Sequence, residues 1–185
     1  SANDWSEPRG RRDPQGDLFP DLARTRVAGR RPINARSESA ARSPAFREAF
    51  ARRRCLIPAT GFYEWKKTPG ARPQPWLFQR ADGRPFAFAG LWQPAAEPGA
   101  PPSCLILTTE PNELTCAVHD RMPVILARED YAAWLDPAVS SASRLRPLLR
   151  SCPASSMSAL PIGTAVNNPA VDDPSCVEPV TGERR

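Results

Sequence analysis

Apolar and polar positions alternate in short bursts along this chain and never settle into one long period. Residues 1–31 are rich in Arg, Asp, Pro and Gly, the pattern of an arm or a poorly packed lead-in. From Ile33 the character changes. Phe46, Ala49 and Phe50 recur at helical spacing in a segment that starts at Arg42 or Ser43, with Arg47, Arg52, Arg53 and Arg54 around them. Residues 55–57 predict a buried strand stopped by Pro58, and residues 62–65 a second short strand. Segments 75–80 and 85–92 flank Ala81-Asp82-Gly83-Arg84, which predicts a hairpin.

A Pro- and Gly-rich loop over 94–102 leads into an aliphatic strand over 104–109. Next come a short helix over 111–117 capped near Thr109 or Glu110, a strand over 122–126, and an amphipathic helix over 129–135 with Tyr131, Trp134 and Leu135 inward. Helical turns over 145–149, a weak strand over 158–162 and a turn at Asn167-Asn168-Pro169 complete the pattern. Short strands and helices in mixed order predict an α+β fold with a mainly antiparallel core. The domain is expected over 32–180, with 181–185 as a tail.

Composition adds to this picture. With 185 residues, a 41% apolar fraction and five Trp, the chain can bury a core in one domain. Basic residues exceed acidic ones by 25 to 20, and all the cations except Lys66 and Lys67 are Arg. Arginine suits bidentate phosphate contacts, although Ala, Arg and Pro richness together also follows from genomic base composition. The five cysteines form no CxxC pair, and one histidine cannot complete a Cys2His2 site, so no metal and no cofactor are expected. Cys55 and Cys104 lie in apolar runs and are expected to be buried small hydrophobes. No stretch approaches the roughly 20 apolar residues of a membrane helix. A cytoplasmic protein without a membrane partner is therefore expected.

Three polar islands carry candidate chemistry. In Gly61-Phe62-Tyr63-Glu64-Trp65, strand alternation puts Phe62 and Glu64 on one face and Tyr63 and Trp65 on the other. If Phe62 faces the core, Glu64 is desolvated, which disfavours its charged form and suits a proton donor or acceptor. The competing assignment pairs it with Arg36 or Arg121. The only histidine, His119, opens His119-Asp120-Arg121-Met122-Pro123, a loop in which it either packs structurally or passes a proton. Asn34 and Arg36 alternate, so one side of an extended segment offers an amide and a planar fork for phosphate. Trp65 and Trp92 could stack on bases or fill a core, and core is favoured for Trp92.

These islands, with INARSES, AFREAF, RRCLIPATGFYEW, DGRPFAFAGLW, LTTEPNELTCAVHDRMPVIL, YAAWLD and GTAVNNP, resemble the SRAP family over about Ile33 to Val180. The family comprises SOS-response-associated proteins that recognise abasic DNA. The resemblance implies an α+β domain with a barrel-like antiparallel core, short flanking helices and a basic channel for single-stranded DNA containing abasic sites. It implies covalent chemistry through an N-terminal cysteine that closes a thiazolidine ring on the sugar aldehyde, and N-terminal autoprocessing in some members. Carried over, Glu64 is the acid/base residue, His119 assists sugar-ring opening, and Asn34 orients the nucleophile. Arg36 and Arg121 hold phosphates, and Thr108 and Trp65 are further DNA contacts. A monomer, nucleoid-associated when bound to DNA, is expected. The family opens Met-Cys-Gly-Arg, whereas this sequence opens Ser1-Ala2-Asn3-Asp4 and has no cysteine before Cys55. For the chain as written no thiazolidine adduct is expected, and the alternative is a non-covalent single-stranded DNA-binding remnant or an inactive truncated product.

Overall fold

The computed structural model describes residues 32–95, 99 and 101–180; the lead-in 1–31, the tail 181–185 and part of the 94–102 loop lie outside the described residues. In chain order the elements are β1 (Asn34–Arg36), α1 (Ser37–Ala40), α2 (Arg47–Arg52), β2 (Arg54–Ala59), β3 (Phe62–Lys66), β4 (Gln74–Arg80), β5 (Phe86–Gln93), β6 (Ser103–Thr109), β7 (Met122–Pro123), α3 (Tyr131–Leu135), α4 (Ala142–Leu145) and β8 (Met157–Pro161). One sheet runs β1-β6-β5-β2 with β7 joined to β6, and a second runs β3-β4-β8. The β1–β6 pair is parallel and the other ladders are antiparallel. The fold is α+β, as expected.

The predicted hairpin does not form. Its two strands exist, but β4 pairs with β3 and β8 while β5 pairs with β2 and β6. The turn between them closes on itself instead. Gly83 adopts φ 68°, its N–H donates to the Arg80 carbonyl (3.0 Å), and Asp82 Oδ1 accepts from Arg80 Nε (2.8 Å) and the Arg84 N–H (3.1 Å). Pro85 follows without an N–H to start a returning ladder. The chain crosses sheets a second time between β2 and β3. There a Cβ on Gly61 would lie 2.9 Å from the Phe78 carbonyl oxygen, so only glycine lets the backbone pass β4. With both connections used for crossing, no ladder joins the two sheets among the described residues. The barrel-like expectation gives way to two facing, unclosed sheets.

Two cores follow from alternation. One face of the larger sheet packs Ala35, Ala89, Leu91, Leu105 and Leu107 against Phe50, Trp134 and Leu145 of the helices. Its other face meets the smaller sheet through Phe62, Phe78, Phe86, Phe88, Met122 and Met157, with Phe62 and Phe78 stacked at 5.1 Å. Arg54 pins the first core. Its five N–H donors reach five backbone carbonyls, those of Trp134 (2.6 Å), Phe50 (2.8 Å), Ala51 (2.7 Å), Asp136 (2.7 Å) and Val139 (2.8 Å), while the guanidinium lies 5.6 Å from the Trp134 ring centroid.

Several local expectations are corrected. Pro58 lies inside β2 rather than ending it, which an edge strand tolerates because its outer N–H positions need no partner. Only residues 122–123 of the 122–126 segment form a strand, because Val124 and Leu126 bond individually to Leu107 of β6 and to Ala87 of β5. The 111–117 helix shrinks to a 3-10 turn, Thr115–Ala117. Asn112 leads into it in place of Thr109 or Glu110, its Oδ1 accepting from the N–H groups of Leu114 (3.1 Å) and Thr115 (2.9 Å). In α3, Trp134 is fully buried but Leu135 is 45% exposed. Trp92 (40% exposed) and Cys104 (exposed) are cross-strand partners beyond Phe88 and Ile106, the last residues of β5 and β6 in the inter-sheet cluster, so neither is core.

Candidate functional site

The site is built where the two sheets face each other. On β3 the burial pattern alternates as the sequence predicts: Phe62 and Glu64 are buried, while Tyr63 and Trp65 are half-buried on the outer face. Glu64 is 1% exposed and sits opposite Trp76 of β4, which packs against the inter-sheet cluster. On the facing sheet, Ala35 belongs to the helix-side core, so its neighbours Asn34 and Arg36 project from the opposite, inter-sheet face. Asn34 is aligned with Ile106 and Arg36 with Thr108, and Ile106 contacts the same cluster as Trp76 and Phe62. Asn34 and Glu64 therefore both face the inter-sheet side, each from a different sheet.

The rim is the His119–Arg121 loop. His119 Nδ1 lies 3.1 Å from the Arg121 N–H, which donates to it, and 3.2 Å from Asp120 Oδ1. Val118 packs against the inter-sheet cluster and holds the loop to that space. The Arg121 side chain crosses to the other elements. Its Nη1 and Nη2 donate to Glu38 Oε1 (2.8 Å) and Oε2 (2.9 Å), and Nη2 also donates to the Thr108 carbonyl (2.7 Å). Partial burial pushes the Glu38 carboxyl up, but the Arg121 fork and the charges of Arg121 and Arg36 outweigh this and hold it below the ordinary glutamate value. Arg121, Glu38 and Thr108 thus meet, and Arg36 is aligned with Thr108 in the β1–β6 ladder. Trp65 does not join them: it lies on the outer face of β3, where its Nε1 donates to Asn167 Oδ1 (2.7 Å).

Several buried nitrogens at this place have no acceptor. Asn34 Nδ2, Trp76 Nε1 and Arg121 Nε are all sequestered from solvent without a hydrogen-bond partner, and Arg53 Nε, beside its ion pair with Glu48, is another. A buried donor left unmade costs about 1–3 kcal/mol, so each of these nitrogens is a standing cost to the fold. A neighbouring cleft of about 290 Å³ is lined by Ser37, Glu38, Thr109, Glu110, Arg146 and Leu149, and it contains none of Asn34, Glu64 or His119. Among the described residues, no group of three or more His, Cys, Asp or Glu sits together as metal ligands, and no helix is long and apolar enough to cross a membrane.

Sequence reasoning missed three residues. Glu38 lay inside the INARSES motif beside Arg36, a carboxylate two positions from a cation, which was the available signal. Trp76 alternates with Phe78 along β4, but its cross-strand partner is visible only in the register. Arg54 is the same residue type as Arg36 and carries no distinguishing signal in the sequence.

Two facing sheets, with an amide and a carboxylate on opposed inner walls and an arginine-bearing loop at the rim, define a small α+β domain with an inter-sheet site. The chain belongs to the SRAP family: the family profile, described as SOS response associated peptidase (SRAP), matches residues 15–169. It is 38% identical over 163 residues to abasic site processing protein YoqW of Bacillus subtilis, covering 87% of this chain and 73% of that one. It is 32% identical over 150 residues to abasic site processing protein YedK of Escherichia coli, covering 80% and 67%. Among solved structures, a Bacteroides thetaiotaomicron protein superposes with a TM-score of 0.72 at 29% identity, covering 80% of this chain and 65% of that one. A Bordetella bronchiseptica protein superposes with a TM-score of 0.64 at 33% identity, covering 73% and 67%. The chain thus spans just under two thirds of the Bacteroides protein.

Proposed function

We propose that this chain is an abasic-site processing protein whose inter-sheet space receives the exposed sugar of an abasic position in single-stranded DNA. The observation that carries this reading is the surplus of buried donors, Asn34 Nδ2, Trp76 Nε1 and Arg121 Nε, around the space into which the buried Glu64 projects. A base-free deoxyribose offers hydroxyl and aldehyde oxygens to such donors, whereas an intact nucleotide adds a base that the walls must also accommodate. The names of the relatives, abasic site processing proteins, support the same substrate class.

In this reading Glu64 carries the proton exchanged with the sugar, and His119 at the rim assists ring opening. Asn34 fixes the sugar oxygens, and Arg36 and Arg121 hold the flanking phosphates. Thr108 fixes the Arg121 fork from β6, and Trp65, outside the pocket, offers a stacking face to the strand beyond the lesion. The protein works in the cytoplasm, on the nucleoid, as a monomer without a metal.

The test is binding of single-stranded DNA with and without one abasic position at two salt concentrations. Tighter binding of the abasic strand, with the difference surviving the higher salt, supports the reading. Equal affinity for the two strands at both salts overturns it. Glu64→Gln should leave binding within about twofold, because the isostere keeps the hydrogen-bonding shape and loses only the transferable proton.

A further inference from the structure

We propose that Glu38 is a positioning residue for strand recognition: its carboxylate holds the Arg121 guanidinium in one fixed orientation at the rim for a backbone phosphate. The inference rests on the functional reading above and adds a residue to it.

The geometry makes the carboxylate a clamp. Glu38 is the second residue of α1, the short helix that directly follows β1. Its two oxygens take both terminal nitrogens of Arg121 at 2.8 and 2.9 Å, and the Thr108 carbonyl takes Nη2 from the third side at 2.7 Å. The guanidinium plane is therefore fixed by contacts from α1 and β6, while Nε stays buried without an acceptor. The Arg121 side chain is 17% exposed and that of Glu38 45%, so the clamp sits at the mouth of the space rather than deep in it. The carboxylate orders the Arg121 guanidinium while offsetting its charge, so order is gained at the expense of positive potential.

Two physical expectations then point in opposite directions. If Glu38 were only a nearby negative charge, neutralising it would make the rim more positive and tighten DNA binding. If it positions Arg121, neutralising it frees that guanidinium and weakens binding despite the gain in positive charge. In single-stranded DNA each neutralised phosphate contributes about 0.7 to the slope of log affinity against log salt, so a lost contact is readable independently of affinity.

The experiment measures affinity and salt slope for abasic single-stranded DNA with the unsubstituted chain, Glu38→Gln, Glu38→Asp, Arg121→Ala and the Glu38→Gln/Arg121→Ala double variant. Melting temperatures establish that each is folded at the assay temperature. The expected result is a roughly fivefold weaker affinity for Glu38→Gln and a slope reduced by about 0.7, matching Arg121→Ala. The double variant should be no worse than Arg121→Ala alone. Glu38→Asp should recover part of the loss, and Glu110→Gln, an exposed control in the neighbouring cleft, should not weaken binding. Tighter or unchanged binding by Glu38→Gln overturns the proposal while leaving the functional reading intact. If Arg121→Ala itself changes neither affinity nor slope, the assignment of Arg121 to the strand fails, and the clamp fails with it.

Discussion

Arg54 and the inter-sheet space are two buried polar regions of one small domain, and they differ in how their hydrogen bonds are completed. Around Arg54 every donor is matched to a backbone carbonyl of α2, of α3 or of the turn after α3, and the indole of Trp134 flanks the ion. Between the sheets, Asn34, Trp76 and Arg121 each keep a buried nitrogen without an acceptor. The first region is finished by the chain itself and acts as scaffold. The second is left incomplete by the chain, and on the proposed function a ligand would complete it.

The largest effect that could break this contrast is at Arg54. Arg54→Met should destabilise the domain by on the order of 4–5 kcal/mol in denaturant unfolding, because it strands several buried carbonyls at once. Arg54→Lys should recover little, since three donors on a point charge cannot replace a five-donor fork. A loss below about 1 kcal/mol would mean that the carbonyls are satisfied without the guanidinium.

Next is Arg121→Ala, expected to weaken single-stranded DNA binding about five- to tenfold at low salt while shifting unfolding by less than about 1 kcal/mol, because its ion pair with Glu38 is partly exposed. The contrast sharpens most at Asn34. Asn34→Leu removes a buried unpaired donor at similar volume, so it should leave stability unchanged or raise it by about 1 kcal/mol while abolishing preference for the abasic strand. A clear loss of stability would show that the Asn34 amide is already satisfied.

The smallest effect concerns Cys55, whose thiol burial pushes up to about 11, with nearby Cys104 adding to the rise. The unfolded thiol ionises near 9 and the folded one two units higher. Stability is therefore complete below about pH 9 and declines as pH rises toward 11. Urea midpoints at pH 8 and pH 10 should differ slightly, and Cys55→Ala should flatten the difference. At pH 8 iodoacetamide should modify exposed Cys104 and Cys116 well before Cys55.

Much of this was legible in the sequence where a two-residue period spoke for itself. Phe62 and Glu64 share an inner face, and Phe50 and Trp134 are buried, as their spacing predicts. The hairpin was not legible, because a tight turn specifies how the chain reverses and not which neighbour the next strand takes. Trp92 and Cys104 were misjudged for a related reason: hydrophobicity does not reveal where the facing sheet stops. Asn34, Glu64, His119 and Arg121 were candidates by residue type, yet Glu38 emerged only from the fork that closes in space. Arg36 is exposed and Arg54 buried because of surroundings that no local pattern encodes.

The three-residue strand β1 has one further consequence. It is held by its parallel ladder to β6, by the Ile106 N–H, which donates to the Ile33 carbonyl at 2.9 Å, and by Ala35, buried in the helix-side core. On the proposed function, the seating of this strand and the filling of the space beside it draw on the same equilibrium. Occupancy would then slow amide exchange along residues 106–108, making this ladder a gauge of how full that space is.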